Sequence, residues 1–200
     1  MNEDFLEKGF SIYKSTMMMQ NPSVVENTEK LLLKVKDIDT IIELGTNQGG
    51  FTTVLGEINK KVKANKIFTY DNYDIPFYLQ ERFSELGIEY EKGDLITVTV
   101  LIDKIKDIIR TSGKCVVFCD NGNKIEEFKQ LSSALKKGDH ILCHDYALSK
   151  AHAKKAMKDK IWNWCEITKE DIQESIDEYK LEEYMQTTMI KSAWGSFVKR

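Results

Sequence analysis

Acidic side chains follow five apolar runs of this chain, and their chemistry suits them to bind hydroxyl groups or cations. Glu43 and Asp71 close the first two runs, Asp94 and Asp120 follow the third and fourth, and Asp145 follows the fifth. A carboxylate at the end of a parallel strand can accept both hydroxyls of a ribose, whereas two converging carboxylates can hold a divalent cation. We therefore expect a nucleotide-like ligand, a metal ion, or both, at one edge of a sheet.

The first apolar run ends in a glycine-rich turn, ELGTNQGG, over residues 43–50. Glycine allows unusual backbone dihedrals and a close approach of the backbone to a ligand, and the helix that follows presents free N–H groups. Thr46, Asn47 and Gln48 separate Gly45 from Gly49, so the spacing differs from the G-x-G-x-x-G of dinucleotide-binding folds. The turn predicts a ligand-binding loop and argues against a dinucleotide held by its pyrophosphate.

A metal site is the second chemical prediction. Asp120 and Asp145 each follow an apolar strand, and two carboxylates that converge would repel unless a cation lay between them. His144 adds a nitrogen donor that would favour Mn²⁺ over Mg²⁺. The alternatives are that Asp145 caps the next segment and that His144 is a partly buried histidine with a hydrogen-bond partner.

Lys124 is a candidate general base. A cation and partial burial can lower the pKa of a neighbouring lysine until the amine is free at neutral pH. The alternative is a solvated lysine in the first turn of a helix.

Five short strands alternate with helices, which predicts βαβ units and a parallel sheet with right-handed crossovers. Helices are predicted over 49–62, 75–86, 98–109 and 124–136, the last ending at Gly138 as the C′ residue. The predicted strands are Thr40–Leu44, Lys66–Tyr70, Ile88–Glu91, Lys114–Cys119 and Asp139–His144.

The two ends of the chain have weaker patterns. We expect residues 1–36 to be a helical lid segment with a capping box from Ser23 to Glu26. Residues 13–22 of this segment, with Met17, Met18 and Met19, are expected to cover the cofactor. The alternative is that these methionines belong to a permanent core. Near the other end, Thr168 with Asp171 predicts a helix start, and residues 193–200 predict a closing strand.

Composition places the chain in an ordinary globular class. The 200 residues (23.1 kDa) are 42% hydrophobic and 30% charged, with a net charge of −3, so nothing favours a nucleic-acid or anionic-membrane partner. The start of the chain does not read as a secretory signal and no apolar run is long enough to span a membrane. Cys115, Cys119, Cys143 and Cys165 form no C-x-x-C pair, which predicts reduced structural thiols and a cytoplasmic location.

The order of these motifs resembles the class I S-adenosylmethionine-dependent methyltransferases. Residues 41–53 and 115–146, including D-N-G-N-K and H-D-Y, look like the metal-dependent cephalosporin-hydroxylase-like and macrocin-type O-methyltransferases. The resemblance implies an α/β Rossmann-like fold with a mostly parallel seven-stranded sheet and helices on both faces. It implies a single methyltransferase domain over 1–200, with residues 1–36 as the helical lid segment and 37–200 as the Rossmann-like core.

The resemblance also assigns roles to residues. It implies that the cofactor contacts Asp71 through its ribose and Asp94 near its adenine, together with a glycine loop and the end of the fourth strand: Glu43, Gly45, Thr46, Gly49 and Asp120. Asp120 and Asp145 match metal ligands, and His144 stands where relatives commonly carry a glutamate ligand. Asn123 stands where many relatives carry a histidine. Lys124 and His144 are the catalytic candidates.

We therefore expect S-adenosylmethionine-dependent methylation of an oxygen on a small hydroxylated metabolite or sugar, assisted by Mg²⁺ or Mn²⁺. The rivals are a binding module for S-adenosylmethionine or a nucleotide without turnover and, disfavoured by the glycine spacing, a nicotinamide-dependent oxidoreductase. Trp162, Trp164 and Trp194 either wall a substrate pocket or pack in the core or in a homodimer.

Overall fold

The computed structural model describes residues 5–6, 10–93, 99–157 and 165–200. Asp94, Trp162 and Trp164 lie outside these residues, and so do the expectations placed on them. In chain order the strands are β1 (Phe5–Leu6), β2 (Phe10–Tyr13), β3 (Thr16–Met18), β4 (Ile38–Leu44), β5 (Lys66–Asp71), β6 (Ile88–Lys92), β7 (Lys114–Cys119), β8 (His140–Cys143), β9 (Tyr146–Ala147), β10 (Ile167–Thr168), β11 (Leu181–Glu183) and β12 (Gly195–Lys199). The helices are α1 (Ser23–Val35), α2 (Gly50–Val62), α3 (Phe77–Leu86), α4 (Thr99–Thr111), α5 (Lys124–Ser132), α6 (Lys150–Met157), α7 (Lys169–Glu178) and α8 (Gln186–Met189).

The central sheet has seven strands in the order β11-β12-β8-β7-β4-β5-β6. Strands β8, β7, β4, β5 and β6 run parallel, β12 is antiparallel to β8, and β11 is antiparallel to β12 and so runs in the direction of the other five. The predicted mostly parallel, seven-stranded sheet is therefore confirmed. Its topological switch point lies between β4 and β7, where the crossover connections leave in opposite directions and ligands bind in folds of this type.

Two apolar layers cover the sheet, one on each face. Helices α1, α2 and α3 pack on one face around Leu31, Val54 and Phe83. Helices α4, α5 and α7 pack on the other face around Ile105, Phe128 and Ile172. Strands β4 and β7 are buried on both faces, which explains why apolar residues stand next to each other in them, as in Ile41–Ile42 and Val116–Phe118, and do not alternate with polar ones.

The prediction of helix at the start of the chain is wrong for the described residues before α1. Strands β1, β2 and β3 form an antiparallel sheet, and a tight turn at Lys14 and Ser15 joins β2 to β3. Both turn residues have positive φ, 46° and 67°, the geometry of a two-residue hairpin turn. The turn lacks the glycine or asparagine that normally marks such a hairpin, so the sequence does not predict the hairpin.

Two predicted helix ends also differ from the structure. The capping box at Ser23 is absent, because Asn21 Oδ1 accepts from the Ser23 N–H at 2.9 Å and forms a local turn instead. Helix α5 ends at Ser132, four residues early, and Gly138 is not its C′ residue but donates its N–H to Lys199 O in β12. The predicted start of α7 is confirmed, with a capping box between Thr168 and Asp171.

Candidate active site

A cavity of about 180 Å³ lies at the carboxyl edge of the sheet, beside the switch point. Three parts of the chain enclose it: residues 17–20 after the hairpin, the glycine loop between β4 and α2, and the ends of β7 and β8. Its lining residues are Met17, Met18, Met19, Gln20, Gly45, Thr46, Asn47, Gln48, Gly50, Phe51, Asp120, Lys124, His144, Asp145 and Glu166. The cavity is smaller than the roughly 300–1,000 Å³ typical of ligand pockets, and residues 17–20 line one side of it.

Backbone hydrogen bonds bring the strand ends together. The Asp120 N–H donates to Leu44 O at 2.9 Å, and the His144 N–H donates to Cys119 O at 3.0 Å. Parallel neighbours thus hold the residues after β4, β7 and β8 side by side, although they are far apart in sequence. This is the juxtaposition that the positions of the acidic residues predict.

The glycine loop has the unusual backbone expected of it. Gly45 has φ of 96°, and a Cβ atom there would lie 2.3 Å from Asp120 O. A Cβ at Gly50 would lie 2.3 Å from Met17 O, so β3 packs directly on the loop. These two glycines therefore let other parts of the chain approach the loop, in addition to any ligand. Gly49 begins α2 in a left-handed conformation and lies outside the cavity lining.

Asp71 lies at the end of β5, and its carboxylate anchors the glycine loop. Asp71 Oδ2 accepts from the Asn47 N–H and Oδ1 accepts from the Asn72 N–H, both at 2.7 Å. The residue is buried and does not line the closed cavity. Thr46, by contrast, lines the cavity, and its Oγ1 shares a 2.7 Å hydrogen bond with Thr69 Oγ1.

Glu43 lies beneath the loop and outside the cavity lining, away from the position expected for a cofactor contact. Its Oε2 accepts from Thr52 Oγ1 and Thr69 Oγ1, each at 2.6 Å, and the side chain is buried. Burial raises the pKa of the Glu43 carboxyl from 4.5 to about 8, against the lowering effect of the two hydroxyls. The carboxyl is therefore protonated at neutral pH and supports the loop from within the core.

The buried Glu43 carboxyl makes stability depend on pH. Between about pH 5 and 8 the folded chain keeps a proton that the unfolded chain has released, so the free energy of unfolding falls as pH rises through this window. Above pH 8 we expect Glu43→Gln to be more stable than the wild type by about 2–4 kcal/mol, because an amide cannot ionise. Urea denaturation from pH 5 to 9 measures this, with the exposed Glu89→Gln as control. Parallel pH curves for Glu43→Gln and wild type would contradict it.

An acidic cluster forms the far wall of the cavity. One ligand atom from each of Asp120, His144 and Asp145 lies within 4.8 Å of the other two. His144 Nδ1 is 2.9 Å from Asp120 Oδ1 and 3.5 Å from Asp145 Oδ1. Asp145 has φ of 54°, a left-handed conformation that is uncommon outside glycine and asparagine-like residues and is enriched at functional sites.

Lys124 supplies the positive charge that holds these carboxylates together. Its ammonium lies 3.2 Å from Asp145 Oδ2, 3.6 Å from Asp120 Oδ1 and 2.7 Å from Glu166 Oε2. Burial lowers the pKa of Lys124, but the carboxylates of Asp120 and Asp145 outweigh it and raise the pKa above its ordinary value. Lys124 is therefore an ammonium in this arrangement, and the lowering of its pKa by a neighbouring metal cation stays a prediction.

Two further side chains, Gln20 and Glu166, contact the cluster and are not predicted from the sequence. Gln20 Nε2 donates to Asp120 Oδ2 at 2.7 Å, and Gln20 Oε1 accepts from Trp194 Nε1 at 3.1 Å. Glu166 reaches Lys124 from the segment before β10. Each contact joins segments far apart in sequence, and neither residue belongs to a motif, so no local signal marked them.

Trp194 and Asn123 both make contacts that support the fold. Trp194 is fully buried against Phe51 and Phe118, so it packs in the core and does not wall a substrate pocket. Its ring lies 4.9 Å from the His144 ring, behind the cavity. Asn123 caps α5, since its Oδ1 accepts from the Glu126 N–H at 3.3 Å. The thiols of Cys115, Cys119 and Cys143 are free and buried, and burial raises the pKa of Cys115 to about 12.

The donor set of the cluster fits a hard divalent cation. Carboxylate oxygens from Asp120 and Asp145 suit Mg²⁺ or Mn²⁺, and the His144 imidazole adds a nitrogen donor of the kind that Mn²⁺ accepts. The side chains converge on one point of the cavity wall, next to the glycine loop.

Comparison with known families identifies one that covers nearly the whole chain. The family model of the Rhamnosyl O-methyltransferase/CmcI proteins matches residues 10–200. A CmcI structure with Mg and SAM superposes with a TM-score of 0.63 at 15% identity, covering 94% of this chain and 76% of that one. An apo CmcI structure gives 0.61 at 16% identity, covering 94% and 75%.

Two further proteins are similar to the chain. The mycinamycin-pathway methyltransferase MycE, in complex with Mg, SAH and mycinamycin VI, superposes with a TM-score of 0.55 at 14% identity, covering 88% of this chain and 49% of that one. Ribosomal RNA large subunit methyltransferase E of Methanococcoides burtonii is 36% identical over 87 residues, which is 43% of this chain. The chain spans only 28% of that relative's length. Among the described helices, none is long and apolar enough to cross a membrane.

Proposed function

Since the chain belongs to the Rhamnosyl O-methyltransferase/CmcI family, we propose that it transfers the methyl group of S-adenosylmethionine to a hydroxyl oxygen of a small molecule with the help of a divalent cation. The observation that carries this proposal is the meeting of the glycine loop with Asp120, His144 and Asp145 in one cavity. The glycine loop would bind the cofactor, and the cluster would bind a cation beside the reacting oxygen.

The cofactor site extends from the glycine loop toward the end of β5. Gly45 and Thr46 face the cavity, and Asp71 lies behind Asn47 with lone pairs left to accept ribose hydroxyls. Positioning of the sulfonium methyl carbon and the hydroxyl oxygen at near-attack distance would supply much of the rate acceleration. The carbon–oxygen bond forms as the carbon–sulfur bond breaks, and the sulfide leaves without a charge.

Asp120 and Asp145 would hold the cation, with His144 as a nitrogen ligand or as the group that orients Asp120. When bound, the cation would act as a Lewis acid that orients a hydroxyl and lowers its pKa. The reaction also releases a proton. If His144 orients Asp120, its Nδ1–H donates to Asp120 Oδ1 at 2.9 Å and Nε2 is the nitrogen that would accept that proton. Lys124, an ammonium beside the carboxylates of Asp145 and Glu166, is the positive charge that pairs with them before the divalent cation binds.

The acceptor that fits this site is a small molecule rather than RNA. The net charge is −3, and three carboxylates surround the one ammonium at the cavity wall. A nucleic-acid acceptor would need a basic surface to neutralise its phosphates. The three buried free thiols favour a reducing compartment, so we place the protein in the cytoplasm.

The direct test incubates the protein with methyl-labelled S-adenosylmethionine and a mixture of hydroxylated metabolites and sugars. We expect label in a small-molecule ether that depends on Mg²⁺ or Mn²⁺ and disappears in excess chelator. Label in added total RNA and not in metabolites would contradict the proposed acceptor. Label that persists in chelator would remove the cation from the proposal.

The segment over residues 13–22 is proposed as the lid of the cofactor site. Gly50 packs against Met17, and residues 17–20 line a cavity of only about 180 Å³, so we expect them to move when a ligand of cofactor size binds. We expect amide hydrogen exchange over 13–22 to slow when S-adenosylhomocysteine saturates the protein, while exchange in the buried strand β7 does not change. Exchange over 13–22 that does not respond to the ligand would show that these methionines belong to a permanent core.

A further inference from the structure

Four oxygen atoms surround the Lys124 ammonium. They are Glu166 Oε2 at 2.7 Å, Asn121 O at 3.1 Å, Asp145 Oδ2 at 3.2 Å and Asp120 Oδ1 at 3.6 Å. We call this arrangement the oxygen cage. Three of the four oxygens belong to carboxylates, so the cage holds more negative charge than one ammonium neutralises. A cage of this composition is also the oxygen set that Mg²⁺ and Mn²⁺ prefer.

Glu166 is held in the oxygen cage by its backbone. Its N–H donates to Asp145 O at 3.0 Å, and the next two residues form β10, which pairs with β9 directly after Asp145. Glu166 is therefore brought beside Asp145 by strand pairing, and its long side chain needs only to reach inward. Glu170, four residues later, instead accepts from the Lys150 N–H outside the cage.

The Lys124 ammonium is itself held by the fold. Lys124 is the first residue of α5, its side chain is 7% exposed, and its Nζ donates to the carbonyl of Asn121 at the end of β7. An ammonium in this position does what a bound cation would do, because it keeps the carboxylates of Asp120 and Asp145 from repelling each other.

We propose that the divalent cation and the Lys124 ammonium are alternative occupants of the oxygen cage, and that Glu166 is a ligand of the cation. This inference rests on the proposed function. Metal–oxygen bonds of about 2.0–2.6 Å leave no room for an ammonium among the same oxygens, so Lys124 must swing out as the cation enters. Glu166 then supplies the carboxylate that His144 does not.

The test is calorimetric titration of Mn²⁺ into wild type, Lys124→Met and Glu166→Gln. Lys124→Met removes the competing charge without shortening the side chain much, and we expect its Kd for Mn²⁺ to fall about tenfold or more. We expect Glu166→Gln, which loses a ligand charge, to bind Mn²⁺ about 10- to 100-fold more weakly. Lys150→Met and Glu170→Gln are matched controls that remove the same charges outside the cage, and both should bind Mn²⁺ as the wild type does.

A second measurement uses the wild-type chain in case Lys124→Met does not fold. Lys124 is buried, so an amine-acylating reagent should label it slowly, and saturating Mn²⁺ should accelerate its labelling, as read by mass spectrometry. Labelling of Lys150 should not change. Slower or equal labelling of Lys124 with Mn²⁺ would overturn the exchange.

Failure of this inference is distinguishable from failure of the proposed function. If wild type binds Mn²⁺ and both cage variants bind it equally well, the oxygen cage is not the cation site, while metal-assisted transfer stands. If neither wild type nor Lys124→Met binds Mn²⁺, the inference and the metal part of the proposed function both fall. Binding by Lys124→Met alone would support the exchange in its strongest form.

Discussion

Replacing Asp120 or Asp145 with alanine is expected to abolish metal-dependent stabilisation and turnover while leaving S-adenosylmethionine binding nearly intact. Each variant removes one of the carboxylates that converge on the cation position, and loss of a ligand should weaken metal binding by more than about 100-fold. The glycine loop and Asp71 are untouched in both variants, and Asp145→Ala also keeps Asp120, which the resemblance places among the cofactor contacts. Metal titration by calorimetry and thermal unfolding with and without Mn²⁺ measure the metal effect. Transfer of a labelled methyl group measures turnover, and calorimetry with S-adenosylmethionine measures cofactor binding.

Controls separate this effect from general damage. Glu126→Ala removes an exposed carboxylate from the first turn of α5, the helix that follows Asp120, and should bind metal as the wild type does. His144→Ala should have a smaller effect than Asp120→Ala if His144 orients Asp120 through their 2.9 Å contact, and an equal effect if it is a ligand. Full activity in excess chelator, or unchanged metal affinity in Asp120→Ala, would remove the cation from the mechanism.

Asp71→Ala is expected to weaken cofactor binding by about 1.5–3 kcal/mol, which is roughly 10- to 150-fold in Kd. The variant loses the charged acceptor for the ribose hydroxyls and also the 2.7 Å bond that holds the Asn47 N–H. Calorimetry with S-adenosylhomocysteine measures the change, and metal affinity should stay the same.

Two matched variants test whether the loss of affinity is specific to the Asp71 carboxylate. Asp74→Ala removes an exposed acid three residues later and should not alter cofactor affinity. Asp71→Asn keeps one acceptor oxygen and should show an intermediate loss. An unchanged Kd for S-adenosylhomocysteine in Asp71→Ala would contradict the proposed contact of Asp71 with the ribose. It would not contradict the rest of the proposed function.

The central fold is readable in the sequence because its strands are buried on both faces. Strands β4 and β7 appear as short runs of β-branched and apolar residues, and each is followed by a turn and a helix of regular period. The hairpin of β2 and β3 was missed because Lys14 and Ser15 adopt positive φ without the residue types that mark such a turn. Strands β9 and β10 have two residues each, too few to show a period.

Only the part of the candidate site that lies at the ends of the parallel strands could be predicted from the sequence. Those ends bring Asp120, His144 and Asp145 together, as their positions after apolar runs indicate. The contributions of Gln20 and Glu166 depend on packing between distant segments. The charge of Lys124 depends on how many carboxylates face it, which neither its residue type nor its place in α5 reveals.

Every proposed step requires S-adenosylmethionine at the glycine loop, so calorimetric titration of this cofactor into the wild-type chain is the decisive measurement. We expect saturable binding of one molecule per chain, weakened in Asp71→Ala and retained in Asp145→Ala. No heat of binding at millimolar S-adenosylmethionine, from protein whose fold is verified by circular dichroism, would contradict it.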